Sequence, residues 1–171
     1  MIICLIGGTC AGKTTTGKAL AELLGWPFRS CGSAVRRRAE LLGIPFLRLA
    51  GVDHRIVDDE TVAWAIGHSD CLVEGRFLDA VFGQAAVPAA TIRLTANAAT
   101  RAARARLRGM FTFSEDDVLR EDASDTLFRS RLYRACPELP STPVVDSSDL
   151  TVSECVSRVS EILGLASFPP G

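Results

Sequence analysis

Apolar residues in this 171-residue chain fall into short continuous runs separated by longer amphipathic stretches, starting with Ile2-Ile3-Cys4-Leu5-Ile6. A run of that length ending at a glycine pair reads as a buried strand. Thr14 to Leu24, closed by Gly25 and Pro27, reads as a helix stopped by glycine with proline beyond. Arg29 to Leu42 is polar and basic with helical character, and Arg55 to Ile66 predicts another helix. Cys71 to Glu74 and Thr91 to Leu94 predict strands, Asn97 to Leu107 and Ser114 to Arg134 helices, and Val144-Val145 a last short strand. Thr151 and Glu154 form a capping box before a final helix over Cys155 to Leu163. This alternation predicts an α/β protein with a three-layer parallel sheet flanked by helices. One domain is expected over residues 1–164, with a tail from 165 to 171.

The chemistry enters right after the first strand. Gly7-Gly8-Thr9-Cys10-Ala11-Gly12-Lys13-Thr14 fits G-x-x-x-x-G-K-[ST], a loop that wraps backbone N–H groups around phosphates at a helix N-terminus. Gly7, Gly8, Thr9, Ala11, Gly12, Lys13, Thr14 and Thr15 are therefore the expected nucleotide contacts. Lys13 would reach the β- and γ-phosphates, and the Thr14 hydroxyl would hold Mg²⁺. The expected ligands are ATP and Mg²⁺, in a fold of the P-loop NTPase type. That loop alone serves motors, switches, transporters and kinases alike.

Composition narrows the surroundings. With 47% apolar residues and a net charge of −1, the chain can bury a proper core and makes no general electrostatic case for a nucleic-acid polymer. Among the basic residues only Lys13 and Lys18 are lysines, the rest being arginine, whose planar fork suits phosphate and carboxylate clamps. The six cysteines, including Cys136, are dispersed without a C-x-x-C pair, so neither a zinc site nor a disulfide framework is expected. Cys4 and Cys71 read as core residues, and Cys10 as a loop thiol near phosphate. No long apolar segment or charged leader precedes the first strand, so a cytoplasmic setting without membrane contact is expected. Oligomeric state is left open.

Parallel sheets bind ligands at the carboxyl ends of their strands. Glu74-Gly75-Arg76 and Asp146-Ser147-Ser148 lie at such ends and should converge on the phosphate loop. Glu74 could help hold the metal through water; a plain surface ion pair with Arg76 is the alternative. Arg101, Arg104 and Arg108 share a helix face by i, i+3, i+7 spacing ahead of Gly109, as a closing lid or a solvated face would. His54 and His68 are isolated and read as surface or loop residues. Trp64, Phe46 and Phe77 are candidates to stack on a base, with core-edge packing as the alternative.

Ser30-Cys31-Gly32-Ser33-Ala34-Val35-Arg36, followed by Ala39, resembles the S-x-G-x-x-x-R-x-x-A segment of the short, archaeal-type cytidylate kinases. Asp53 to Asp59 is similar to their acidic stretch, Val73-Glu74-Gly75-Arg76 matches their V-E-G-R, and Asp146-Ser147-Ser148 with Leu150-Thr151 completes the order. The resemblance spans about residues 2 to 163. It implies transfer of the ATP γ-phosphoryl group to a pyrimidine nucleoside monophosphate, CMP or dCMP. Ser30, Gly32, Arg36, Gly75 and Arg76 would then form the acceptor site, within an acceptor-binding segment of about 28–68. Arg104 and Arg108 would act from a lid of about 104–116. Arg120-Glu121-Asp122, Asp125, Arg129, Arg131 and Tyr133 look similar to the family's arginine- and acid-rich helix, and Asp125, Arg129 and Arg131 would contact the acceptor. The spacing there departs by a residue or two and does not choose between Arg129 and Arg131. Phe77 stands where the larger bacterial enzymes have an aspartate, and their long insertion is missing.

A monophosphate oxygen is already nucleophilic, so such a kinase needs positioning and charge neutralisation but no base. Kinases of sugar, shikimate or antibiotic hydroxyls share the fold and would want a carboxylate, for which Asp53, Asp58 and Asp59 are candidates. Asp58 and Asp59 would equally stabilise the N-terminus of a helix over Glu60 to Ile66. A non-catalytic nucleotide-binding module is the reading from another class; the N-K-x-D and D-x-x-G motifs of GTPase switches are missing.

Overall fold

A computed structural model of the chain describes residues 1–45, 48–133 and 142–165; expectations on Phe46, Arg134, Cys136 and the tail beyond 165 lie outside the described residues. Five strands, β1 (Ile2–Ile6), β2 (Phe28–Ser30), β3 (Cys71–Glu74), β4 (Ala90–Thr95) and β5 (Val144–Asp146), form one sheet in the order β2-β3-β1-β4-β5. Every pairing is parallel, with Leu5 opposite Glu74 and Ile6 opposite Arg93 across the central strand. The expected fold class holds.

Seven helices complete the described order: α1 (Lys13–Leu24), α2 (Cys31–Leu41), α3 (Gly51–Ile66), α4 (Leu78–Gln84), α5 (Ala98–Leu107), α6 (Glu115–Leu132) and α7 (Val152–Leu163). Alternate side chains of β1 enter opposite layers, as a period of two dictates. Ile3 and Leu5 pack with Leu20 and Ala21 of α1 and Val156 and Val159 of α7. Cys4 and Ile6 pack with Ala65 of α3, Leu78, Val81 and Phe82 of α4, and Tyr133. Burial on both faces is why β1 is apolar at every position instead of alternating. No helix among the described residues is long and apolar enough to cross a membrane.

Three elements differ from expectation. The segment read as helical from Arg29 begins as β2, and α2 starts only after Ser30, whose Oγ accepts from Ser33 N at 3.2 Å. An edge strand of three residues shows no periodicity of its own; pairing with Leu72 to Glu74 defines it. Helix α4 was not expected, because Leu78 to Phe82 is buried throughout and an all-apolar face leaves no 3.6-residue stripe. Helix α3 begins at Gly51, four residues before Arg55, so Asp58 and Asp59 lie in mid-helix and cannot stabilise its start. Asp53 occupies the first turn and is paired with Arg38 at 3.0 Å. The capping boxes at Ser114 and Thr151 start α6 and α7.

Asp58 instead accepts from the Tyr133 hydroxyl at 2.5 Å. Phe77 packs on Phe128 and Tyr133 nearby, at 5.6 and 5.8 Å between ring centres. Burial pushes the Asp58 carboxyl up to about 6 from its ordinary 3.8, against the pull of the Tyr133 hydrogen bond. The folded protein thus holds this proton more tightly than the unfolded chain does. Its stabilising contribution is complete below about pH 4 and is lost as pH rises through about 6. Asp58→Asn, neutral throughout, should therefore gain stability relative to wild type between those values. Urea midpoints measured across that range check it; parallel curves would refute the assignment.

Candidate active site

The loop between β1 and α1 has two glycines that neighbouring elements approach closely. A Cβ on Gly7, whose φ is 142°, would lie 2.1 Å from the Leu94 carbonyl oxygen, and one on Gly8 would lie 2.5 Å from Arg101 Nη2. Glycine there lets the backbone be gripped from β4 on one side and α5 on the other. Lys13 is buried at the start of α1 and donates from Nζ to the Gly8 carbonyl at 2.7 Å. Burial lowers its pKa to about 8, with Glu74 opposing and Arg76 and Arg101 adding to the drop.

On one side of this loop, Thr14 Oγ1 donates to Glu74 Oε1 at 3.1 Å, and Ser30 Oγ donates to the same carboxylate oxygen. Glu74 is buried, held by its place at the end of β3, next to the central strand. A hydroxyl and a carboxylate are hard oxygen donors of the kind Mg²⁺ takes beside phosphate oxygens and water, so the residues fit that ion. No cluster of three or more His, Cys, Asp or Glu side chains able to hold a metal occurs among the described residues. Gly75 lies so close to Cys31 that a Cβ would come within 3.1 Å of it, and this lets β3 meet the start of α2.

The arginine face of α5 is put to another use than spacing suggests. Arg101 is buried; its Nε donates to the Thr9 carbonyl at 2.6 Å, and both terminal nitrogens clasp Asp122 of α6 at 2.7 and 2.8 Å. Arg104 donates to the Ser147 carbonyl at 2.6 Å and to Ser147 Oγ at 2.9 Å, while that hydroxyl donates to the Ala11 carbonyl at 3.1 Å. These two arginines brace the phosphate loop from behind. Arg108, past the end of α5, is exposed and lines a shallow groove of about 450 Å³ with Thr14, Thr15, Lys18 and Arg36. Arg36 is exposed on α2 and donates to Ser33 Oγ at 3.3 Å; Gly32 lies under its guanidinium.

Arg76 sits on the opposite side. It donates to Thr9 Oγ1 at 2.5 Å, pairs with Asp125 and reaches Glu121 at 3.4 Å; Thr9 in turn donates to Glu121. Arg76, Asp122, Asp125 and Arg129 border a cavity of about 350 Å³ that runs against Gly7, Gly8 and Ala11. Burial raises the Asp125 pKa although Arg76 opposes it. Arg129 is clasped at 2.9 Å by both oxygens of Asp79, a carboxylate 1% exposed, and Arg93 lies 4.0 Å from the same group. Arg131 is exposed on α6. The structure thus brings together the loop, Lys13, Thr14, Glu74, Arg76 and Asp125, and puts Arg36 and Arg108 along a separate groove.

Several participants carried weak signals. Asp79 is a lone acid within the apolar run Phe77 to Phe82, which is itself a sign of a buried ion pair. Ser147 lies at the loop as its strand-end position implies, whereas the bracing role of Arg101 had no local sign. His54 is half-buried against Phe128 at 5.0 Å, and His68 Nδ1 bonds the Trp64 carbonyl at 2.6 Å, so neither is a free surface group. Trp64 packs on His68 and under Arg29, and Phe77 lies in the aromatic cluster. The five described cysteines are free, with Cys4, Cys10 and Cys71 buried.

Solved structures decide the fold. A shikimate kinase from Bacteroides thetaiotaomicron superposes with a TM-score of 0.62 at 18% identity, covering 96% of this chain and 99% of its own. The fold is that of the P-loop kinases. A gluconokinase from Sinorhizobium meliloti 1021 gives 0.59 at 21% identity, with 95% and 94% covered. A shikimate kinase from Acinetobacter baumannii, solved with shikimate, gives 0.60 at 18%, with 95% and 93% covered. No protein-family model and no curated sequence matches the chain. These likenesses support the fold that the resemblance implies and do not single out cytidylate kinases.

Two predictions follow from the charges. A phosphate chain bound at Lys13 should restore its ordinary basicity, so ATP binding near pH 8.5 takes up protons. Calorimetry in buffers of different ionisation enthalpy reads this directly; uptake should vanish in Lys13→Met, and buffer-independent heats in the wild type would contradict it. Asp79→Ala removes the buried carboxylate that accepts from both terminal nitrogens of Arg129 and should cost about 1.5–3 kcal/mol of unfolding free energy in urea titration. A loss under about 1 kcal/mol would mean the pair is solvated, as exposed ion pairs are.

Proposed function

We propose that the chain is an ATP-dependent kinase that phosphorylates a hydroxyl group of a small molecule. The supporting observation is the state of Arg76: the arginine expected to grip an acceptor phosphate is already balanced by Asp125 and Glu121. An incoming monophosphate would have to displace two carboxylates, whereas a neutral hydroxyl would not. The folds that superpose include proteins described as shikimate kinases and a gluconokinase, whose named substrates carry hydroxyl acceptors.

In this reading the N–H groups of the loop from Gly7 to Thr14 and the Lys13 ammonium bind the β- and γ-phosphates, and Thr14 with Glu74 holds Mg²⁺. Mg²⁺, when bound, supplies positive charge to the phosphate oxygens. Arg101 and Arg104 keep the loop in one geometry, so donors aimed at developing charge need no reorganisation. Residues 28–68 are assigned to acceptor binding and 104–116 to a lid that brings Arg108 over the nucleotide, all within one kinase domain.

A second reading, a pyrimidine monophosphate kinase, is favoured by Arg36. It is exposed, engaged by Ser33 alone among the described residues, and shares a groove with Thr14. An ADP-release assay with Mg²⁺-ATP against shikimate, D-gluconate, cytidine, CMP, dCMP and UMP separates the two. Turnover with an alcohol, abolished in Lys13→Ala, is the expected result. Turnover with CMP or dCMP alone would transfer the assignment to the second reading, and Arg36→Ala should then cost about 2–4 kcal/mol of transition-state stabilisation.

A further inference from the structure

We propose that Asp125 is the proton acceptor of the transfer, an inference that rests on the hydroxyl-kinase reading. An alcohol oxygen attacks poorly while it keeps its proton, so the site must offer a carboxylate with an uncommitted oxygen beside the phosphate loop. The acids near the loop can be sorted by what already occupies them. Glu74 Oε1 serves Thr14 and Ser30 on the metal side. Both oxygens of Asp122 are taken by Arg101, and both oxygens of Asp79 by Arg129. Glu121 takes the Thr9 hydroxyl and does not border the 350 Å³ cavity.

Asp125 does border that cavity, and among the described residues only its Oδ1 is engaged, by Arg76. Arg76 also donates to Thr9 of the loop, so the carboxylate stands at a set distance from the phosphates through a single guanidinium. Arg76 is accordingly a positioning residue. The two carboxylates suggested by spacing alone are spent elsewhere: Asp53 on Arg38 and Asp58 on Tyr133.

In the step itself, the acceptor O–H bond breaks as its proton passes to Asp125 Oδ2, and the oxygen forms a bond to the γ-phosphorus. The bond from that phosphorus to the β,γ-bridging oxygen breaks, and ADP leaves with the electron pair. Asp125 then returns the proton to solvent. The groups that set its basicity are Arg76 from the β3–α4 turn and Lys13 from α1, both cationic, with Glu121 and Asp122 on its own helix; Arg93, Arg101 and Arg129 share the cavity wall. Burial and the two neighbouring acids raise it, as suits a base.

The test compares wild type, Asp125→Asn and Asp125→Glu with Mg²⁺-ATP and shikimate, D-gluconate, cytidine and CMP. Expected are transfer to at least one alcohol, a kcat lower by about 10²–10⁴ in Asp125→Asn, and loss of the acidic limb of the kcat/KM profile. ATP affinity should stay near wild type, which shows that the variant is folded, and Asp125→Glu should recover part of the rate. In the ligand-free protein, a carboxyl ¹³C resonance missing from Asp125→Asn should titrate above the ordinary aspartate range. Alcohol turnover by Asp125→Asn within threefold of wild type, or a wild-type profile with no acidic limb, overturns this inference alone. Turnover with CMP only, or with no alcohol, overturns the hydroxyl reading and the inference with it.

Discussion

The site depends on how closely β4 and α5 can approach the backbone between β1 and α1. Gly7 lies against the Leu94 carbonyl and Gly8 against the Arg101 guanidinium; a Cβ on the first would collide with backbone, and one on the second would displace the guanidinium. A phosphate loop must present N–H groups inward, which leaves its carbonyls pointing outward in need of donors. Arg101 at Thr9 and Ser147 at Ala11 supply them, and Lys13 turns back on Gly8. Each of these bonds comes from a different element, so α5, the β5–α7 turn and α1 are all referred to one short loop.

Buried arginine is costly unless its donors are matched, and here matching carboxylates come from the opposite side of the cleft. Asp122 answers Arg101 in bidentate geometry, and Asp79 answers Arg129 in the same way. Both pairs tie α6 to the sheet end, one through α5 and one through α4. Helix α6 is therefore anchored at two points about two turns apart, while Leu107 at the end of α5 and Met110 and Phe111 in the loop before α6 are exposed.

Charge balance separates the two sides of the phosphate loop. On the Thr14 side, Arg36, Arg108 and Lys18 face a groove whose one lining carboxylate is Glu22, a setting for anionic groups. On the Thr9 side, Arg76 is matched by Asp125 and Glu121, a setting that receives neutral oxygen more readily than phosphate. The matched arginine is the observation on which the proposed hydroxyl acceptor rests, against the monophosphate that V-E-G-R implies.

The strand–loop–helix unit at the N-terminus, the parallel sheet and the capped start of α7 were legible in the sequence, because each follows from local spacing: a continuous apolar run, glycines at set offsets, a capping pair. Strand β2 and helix α4 were not, since one takes its identity from pairing with β3 and the other is buried on every side from Leu78 to Phe82, Asp79 included. The arginines show the same division. Their identity and helical spacing were visible, but whether each meets phosphate or carboxylate depends on which acids α4 and α6 bring opposite them. Arg101 and Arg104 lie one turn apart on α5 and Arg108 just past its end, yet two brace the loop and the third is exposed. Sequence determined the loop between β1 and α1, because backbone geometry there is written in glycine positions. Only the tertiary structure decided which cations remain available to a ligand, because pairing energies act through space between groups dozens of residues apart.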